Sequence, residues 1–153
     1  MKKTLITLIL TIGITVTTFA QTKETYHKEA VEVLTEVLNA FNNPDESLCD
    51  EVLVQNLTED YLNESKTALN DNFKGKGEYI SLREKISQLE FPIVVVRQNK
   101  LYGQVKYDGV MTKGITYKLD VRYLPPNHGL SVNFEVFVPD DGRKPKVRDF
   151  GNI

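Results

Sequence analysis

The residues of this chain that could carry acid–base or nucleophilic chemistry are few and far apart. His27 lies near a helical segment, and His128 follows a Pro-Pro-Asn sequence in a turn-forming stretch. Cys49 is the only cysteine. A thiol becomes a nucleophile when a neighbouring base activates it, and neither histidine is close in sequence. We predict a buried, unreactive thiol at Cys49 and solvated histidines, and therefore no catalytic residue.

A metal site is also not predicted. Asp140, Asp141 and Asp149 supply oxygen ligands of the kind that divalent cations prefer. Their spacing matches no calcium-binding loop, and basic residues between Arg143 and Arg148 oppose a bound cation. We therefore predict a solvated acidic turn, with no metal and no cofactor.

Aromatic side chains are the more informative set. Phenols with an apolar ring and a polar tip are typical of the walls of small-ligand pockets. The candidate pocket residues are Tyr26, Tyr61, Tyr107, Tyr117, Tyr123 and Phe134. The same pattern also fits ordinary core aromatics with satisfied hydroxyl groups.

The first twenty residues have the pattern of a secretory signal peptide. Lys2 and Lys3 precede an apolar run that ends in small residues at Ala20. A membrane anchor is the alternative, but the run is shorter than the roughly 20 residues that a span needs. We predict a signal peptide over 1–20, cleavage near Ala20, a secreted or periplasmic protein and no stable membrane span after cleavage.

The distribution of charge limits the kind of partner that residues 21–153 can bind. The segment 21–65 contains 11 acidic and two basic residues, whereas basic residues exceed acidic ones after it. A nucleic-acid binder would instead show a concentrated basic stripe, so no nucleic-acid partner is predicted. We predict one domain over 21–138 and a basic C-terminal tail over 139–153 that is solvated.

Four helices are predicted before residue 91. Apolar residues at three- and four-residue steps indicate a first helix from Thr25 to Asn42. A second begins around Asn43-Pro44 and ends near Leu53. A third follows Thr58, and Ser81 with Glu84 forms a capping box that opens a fourth.

Alternating apolar and polar residues indicate a four-stranded antiparallel meander over 91–138. The predicted strands are Ile93–Arg97, Leu101–Asp108, Ile115–Tyr123 and Leu130–Val138, with a tight turn at 98–100. Val105 and Tyr107 are predicted on the buried face. The polar face, which is the candidate interaction surface, comprises Lys106, Lys118, Asp120, Arg122, Asn133 and Glu135. The fold class is α+β, with the N-terminal helices packed on one face of a curved four-stranded sheet.

This order of elements resembles the NTF2-like (SnoaL-like) cone fold. The residues that carry the resemblance are Ala40–Asp45, Gly77–Arg83 and the strands from Ile93 to Val138. The resemblance implies a conical pocket, dimerisation through the outer sheet face and, in catalytic members, an Asp or His inside the cone. The inward positions of the last two strands are apolar or tyrosine, which disfavours catalysis here.

The predicted function is an exported, non-catalytic accessory domain of the cell envelope. It would bind a small molecule or an envelope protein whose identity the sequence does not specify. The alternative is a small isomerase or hydrolase in which Tyr117 or Tyr123 polarises a substrate carbonyl.

Cleavage after Ala20 predicts that the exported protein begins at Gln21. Intact-mass measurement of protein purified from the cell envelope should show loss of residues 1–20. A mass that retains the apolar run of residues 5–20 would contradict the prediction.

Overall fold

The computed structural model describes residues 26–43, 46–59, 61, 77–127 and 129–151. Three helices precede four strands in this part of the chain, and the strands form one antiparallel sheet in the order β1-β2-β3-β4. The elements are α1 (Lys28–Phe41), α2 (Glu46–Asn56), α3 (Gly77–Ile86), β1 (Val95–Tyr107), β2 (Val110–Arg122), β3 (Ser131–Pro139) and β4 (Lys146–Asp149). The α+β class and the four-stranded antiparallel sheet are confirmed.

The first helix is confirmed with a later start. His27 is its N-cap and accepts a hydrogen bond from the backbone N–H of Ala30 at 3.4 Å, so this histidine has a structural role. The predicted apolar face is the buried one, and it contains Val33, Leu34, Val37, Leu38 and Phe41.

The other helices differ from prediction at their ends. α2 continues to Asn56, beyond the predicted end at Leu53. α3 begins at Gly77, four residues before Ser81, so the capping-box prediction is wrong: the Ser-x-x-Glu pattern falls where the backbone is already helical. Most of the predicted third helix lies outside the described residues.

The first two predicted strands are one strand. β1 pairs with β2 from Val95 to Tyr107, so the predicted turn at 98–100 lies inside the ladder. These residues lack the glycine that a tight turn favours, and β2 is long enough to pair with them throughout. A register shift between Val95 and Arg97 is the one irregularity between the two strands.

Continuous pairing also reverses the predicted faces of β1. Directly paired residues of an antiparallel ladder project to the same face of the sheet. Lys106 pairs with Met111, and Lys100 pairs with Tyr117 on the face that meets the helices. Val105 and Tyr107 therefore lie on the opposite face, and Lys106 does not lie with Lys118 and Asp120. The prediction was wrong for these three β1 residues.

The predicted tail is part of the sheet. β4 pairs with β3 through Val136↔Val147, and Val147 is fully buried. Phe150 is also buried, with its ring edge-on to Phe41 at 5.6 Å and to Phe134 at 6.1 Å between centroids. The solvated-tail prediction is wrong, because apolar residues between the basic ones complete the core. The domain thus continues past 138 to Phe150.

The main core lies between the helices and one face of the sheet. The predicted alternation of β2 and β3 is confirmed there: Leu119, Val121, Val132, Phe134 and Val136 are buried together against α1. Cys49 is a buried member of the same core. The face of the sheet that meets the helices is called the inner face below.

A second, smaller core lies on the outer face. It contains Val105, Tyr107 and Phe137. Gly114 permits it, since a Cβ atom there would lie 2.6 Å from the Phe137 ring and would also meet the Val138 carbonyl. Both faces of the sheet therefore contribute to stability.

Replacing Phe150 tests whether the C-terminal segment belongs to the core. Phe150→Ala should lower the free energy of unfolding by about 3–5 kcal/mol, because it removes a buried ring and leaves a cavity. Urea unfolding measures the change. Asp149→Asn is the control, since Asp149 is exposed and asparagine can still accept the Gly151 N–H. Equal stability of the two variants would contradict the assignment.

Candidate functional site

The turn-proximal part of the ribbon formed by β1 and β2 is largely exposed. A two-residue turn, Asp108–Gly109, joins the strands with φ angles of 50° and 81°, as a type I′ hairpin turn requires. Every residue from 99 to 104 is exposed. Leu101, Tyr102 and Met111 have 55%, 74% and 61% of their surface accessible, so this end of the ribbon presents apolar groups to solvent.

Five residues define what is called the ribbon surface below. The β1–β2 register places them on the inner face of the ribbon, and they are Lys100, Tyr102, Lys106, Met111 and Lys113. All five are exposed. Within the described ranges, no carboxylate forms an ion pair with any of the three lysines. The ribbon surface is thus basic and partly apolar.

β1 also has a free edge. It is the outermost strand of the four-stranded sheet, and β2 is the one described strand that pairs with it. The two-residue turn is closed by the hydrogen-bonded pair Tyr107–Val110. Hydrogen-bonded pairs alternate along an antiparallel ladder, so the backbone groups of residues 98, 100, 102, 104 and 106 point away from β2. In the described part of the chain, no backbone hydrogen bond outside the ladder uses them.

Tyr107, at the end of β1, contacts the segment before β4 on the outer face. Its hydroxyl donates to the Lys144 carbonyl at 2.6 Å. The Arg143 guanidinium lies 4.4 Å from the ring centroid and the Lys146 ammonium 4.8 Å, which are cation–π distances. Burial, followed by the charge of Asp108, raises the pKa of the Tyr107 phenol above its ordinary value of 10.0. These contacts attach the segment before β4 to the sheet.

The other predicted pocket residues do not all share one pocket with Tyr107, because the sheet separates that residue from Tyr117 and Phe134. Tyr117 is buried beneath the His27 ring, with 4.4 Å between the ring centroids. Its burial, and secondarily Tyr102, raises the pKa of its phenol above 10.0. Phe134 is fully buried. The ring centroids of Tyr61 and Phe150 are 5.3 Å apart. The backbone of Tyr123 forms an isolated antiparallel β-bridge with Leu89.

Tyr26 is the predicted pocket residue that lines an open groove. This groove, about 450 Å³ in volume, lies between the start of α1 and the segment before β1. Its walls are mostly apolar, from Val31, Ile93 and Val95, and Lys28 and Glu32 form an ion pair of 3.6 Å at its border.

The side chains of the predicted interaction face form hydrogen bonds and ion pairs with other residues of the chain. Lys118, Asp120, Arg122, Asn133 and Glu135 do lie on the outer face, as predicted. Asp120 is buried and accepts hydrogen bonds from Arg97 at 2.6 Å and from Asn133 at 2.9 Å.

The remaining charges of that face are also paired. Glu135 forms ion pairs with Lys118 at 2.5 Å and with Arg148 at 3.8 Å, and Arg122 lies 3.8 Å from Glu90. These side chains mainly stabilise the sheet, which leaves the ribbon surface as the better candidate for recognition. The sequence did not predict the ribbon surface, because a turn was predicted at 98–100 and β1 was therefore divided into two short strands.

The aspartates of the acidic turn have partners within the chain. The Arg143 side chain donates to Asp141 and thereby holds the pKa of that carboxyl below its ordinary value. Asp149 accepts from the Gly151 N–H at 3.0 Å. Among the described residues, no three histidine, cysteine or acidic side chains come together as metal ligands. His128 lies outside those residues.

Comparison of the chain with family models, curated proteins and solved structures gives no match. The resemblance to the NTF2-like fold therefore stays a prediction. None of the described helices has both the length and the apolar character to cross a membrane.

Tyr107→Phe tests the contacts that hold the C-terminal segment. Loss of the hydrogen bond to Lys144 should lower the free energy of unfolding by about 1 kcal/mol at neutral pH. The folded protein holds the Tyr107 proton more tightly than the unfolded chain does. This contribution is therefore present below pH 10 and is lost as pH rises through the higher folded-state pKa.

Urea unfolding between pH 8 and pH 11 measures both effects. The wild-type chain should lose stability more steeply above pH 10 than Tyr107→Phe does. Tyr102→Phe is the control, since that phenol is 74% exposed. An alkaline profile of Tyr107→Phe identical to that of the wild type would contradict the assignment.

Proposed function

We propose that this chain is an exported, non-catalytic interaction domain of the cell envelope and that it binds a partner protein through the ribbon surface. The observation that carries the proposal is the exposure of Tyr102 and Met111 beside three lysines that form no ion pair with another described residue. Tyr102 and Met111 lie on the same face of the ribbon, two same-face pairs apart along the ladder, and tyrosine and methionine are enriched in protein interfaces. Export is supported by the signal-peptide pattern of residues 1–20.

The geometry favours binding over the isomerase alternative. That alternative requires Tyr117 or Tyr123 to reach a substrate inside the cone. Tyr117 is buried beneath His27 and packs with the core. Glu90 is the carboxylate nearest in sequence to Leu89, which pairs with Tyr123, and it lies beside Arg122. A relation to the NTF2-like fold remains part of the proposal, supported by the long first helix on the inner sheet face.

A small apolar ligand is a second candidate, and the groove beside Tyr26 favours it. Its volume falls within the range of ligand-binding clefts, and its walls are largely apolar. The ribbon surface is preferred because it combines apolar groups with lysines that have no carboxylate partner among the described residues, and such charges provide specificity for a protein partner.

Site-specific photo-crosslinking in cells that produce the protein tests the proposal. A photoreactive phenylalanine at position 102 should give a discrete adduct with one envelope protein, and Lys106→Glu should reduce its yield at least about fivefold by reversing a charge at the surface. The adduct is identified by mass spectrometry, and binding is then measured with the two purified proteins.

Leu130 provides the matched control position, because it is 62% exposed but lies at the opposite end of the sheet. Adducts from position 130 and none from position 102 would contradict the proposal. Native mass spectrometry of the same protein, if it shows a retained small molecule and no partner, would favour the groove instead.

A further inference from the structure

We propose that the partner supplies an extended acidic segment that pairs with the free edge of β1 as an added antiparallel strand. The inference rests on the proposed function, since it specifies how the ribbon surface recognises its partner. It adds a chemical class of partner and a register, both of which follow from the strand pairing.

The backbone of β1 defines the mode of binding. Residues 98 to 106 direct alternate N–H and C=O groups away from β2, over a length of about 27 Å. A segment that adds to a sheet edge gains its affinity from such main-chain groups. At one end, the Gln98 side chain accepts a hydrogen bond from the His27 N–H at 2.8 Å, which fixes the strand beside α1.

The side chains of β1 define the partner's sequence pattern. The residues with outward backbone groups are also those of the inner face, and they include Lys100, Tyr102 and Lys106. Directly opposed residues on an added strand share that face. Acidic residues six positions apart would then lie opposite Lys100 and Lys106, and an apolar residue between them would lie on Tyr102.

Charge complementarity selects an acidic partner over a second copy of this chain. Lys100, Lys106 and Lys113 are the charged residues of the ribbon surface, and no carboxylate forms an ion pair with them in the described ranges. Lysine on an edge strand opposes edge-to-edge pairing of identical chains. The same charges attract glutamate or aspartate on a different chain.

A labelled nine-residue peptide is the probe. It carries glutamate at its second and eighth positions, valine at its sixth and threonine elsewhere, so that the glutamates oppose the two lysines and the valine opposes Tyr102. The control peptide has the same composition, with the second glutamate moved from the eighth to the seventh position, so that the two glutamates lie on opposite faces of the strand in every register. Fluorescence anisotropy with the full purified chain should show binding of the first peptide, weaker at high salt, and at least about tenfold weaker binding of the second.

Two variants at one position separate strand addition from binding to the surface alone. Gln104→Pro removes an outward N–H and keeps the β2 ladder, since only edge positions of this kind tolerate proline. Gln104→Thr removes the same side chain and keeps the N–H. Proline should weaken peptide binding at least about fivefold relative to threonine, the loss expected for one hydrogen bond. Circular dichroism confirms that both variants are folded.

The outcomes distinguish this inference from the proposed function. Equal binding by the proline and threonine variants overturns strand addition, while a loss of crosslinking by Lys106→Glu would still support the ribbon surface. Equal binding of the two peptides overturns the proposed register. A concentration-dependent dimer in sedimentation that Gln104→Pro abolishes would show that a second copy occupies the edge, and would overturn the acidic partner.

Discussion

The register of β2 between β1 and β3 is the constraint on which the rest of the structure depends. A slip of one residue would transfer every side chain of β2 to the other face. In the observed register, Leu119 and Val121 meet the helices, while Asp120 lies buried on the opposite face beside Arg97 and Asn133. Buried groups on both faces therefore fix the same alignment, apolar on one side and hydrogen-bonded on the other.

That alignment determines where the two cores form. Phe134 and Val136 lie with Leu119 in the main core, and Phe137 lies on the other face with Tyr107. The Tyr107 hydroxyl and the cations over its ring hold the segment that leads into β4. Phe150 then completes the main core. The C-terminal segment thus connects the two faces of the sheet.

The same pairing leaves one part of the sheet without cover from the described helices. β3 and β4 lie against the helices, whereas β1 continues into a ribbon whose residues 99 to 104 are exposed. The charges of the outer face neutralise each other, as in the pairs of Glu135 with Lys118 and Arg148. The lysines of the ribbon surface have no such partners in the described part of the chain. An edge strand, exposed apolar groups and unpaired charge therefore coincide at a single place.

Local patterns in the sequence determined the α+β class, the apolar face of α1 and the faces of β2 and β3, because amphipathic periods of 3.6 and 2 are properties of neighbouring residues. They did not determine the faces of β1, the fourth strand or the site. Residues 98–100 can form a turn or a strand, and they form a strand because they pair with β2. The segment from Lys146 to Phe150 looks like a solvated tail until β3 and the Phe41 ring cover its apolar positions. These outcomes depend on contacts between residues far apart in the chain, which only the tertiary structure brings together.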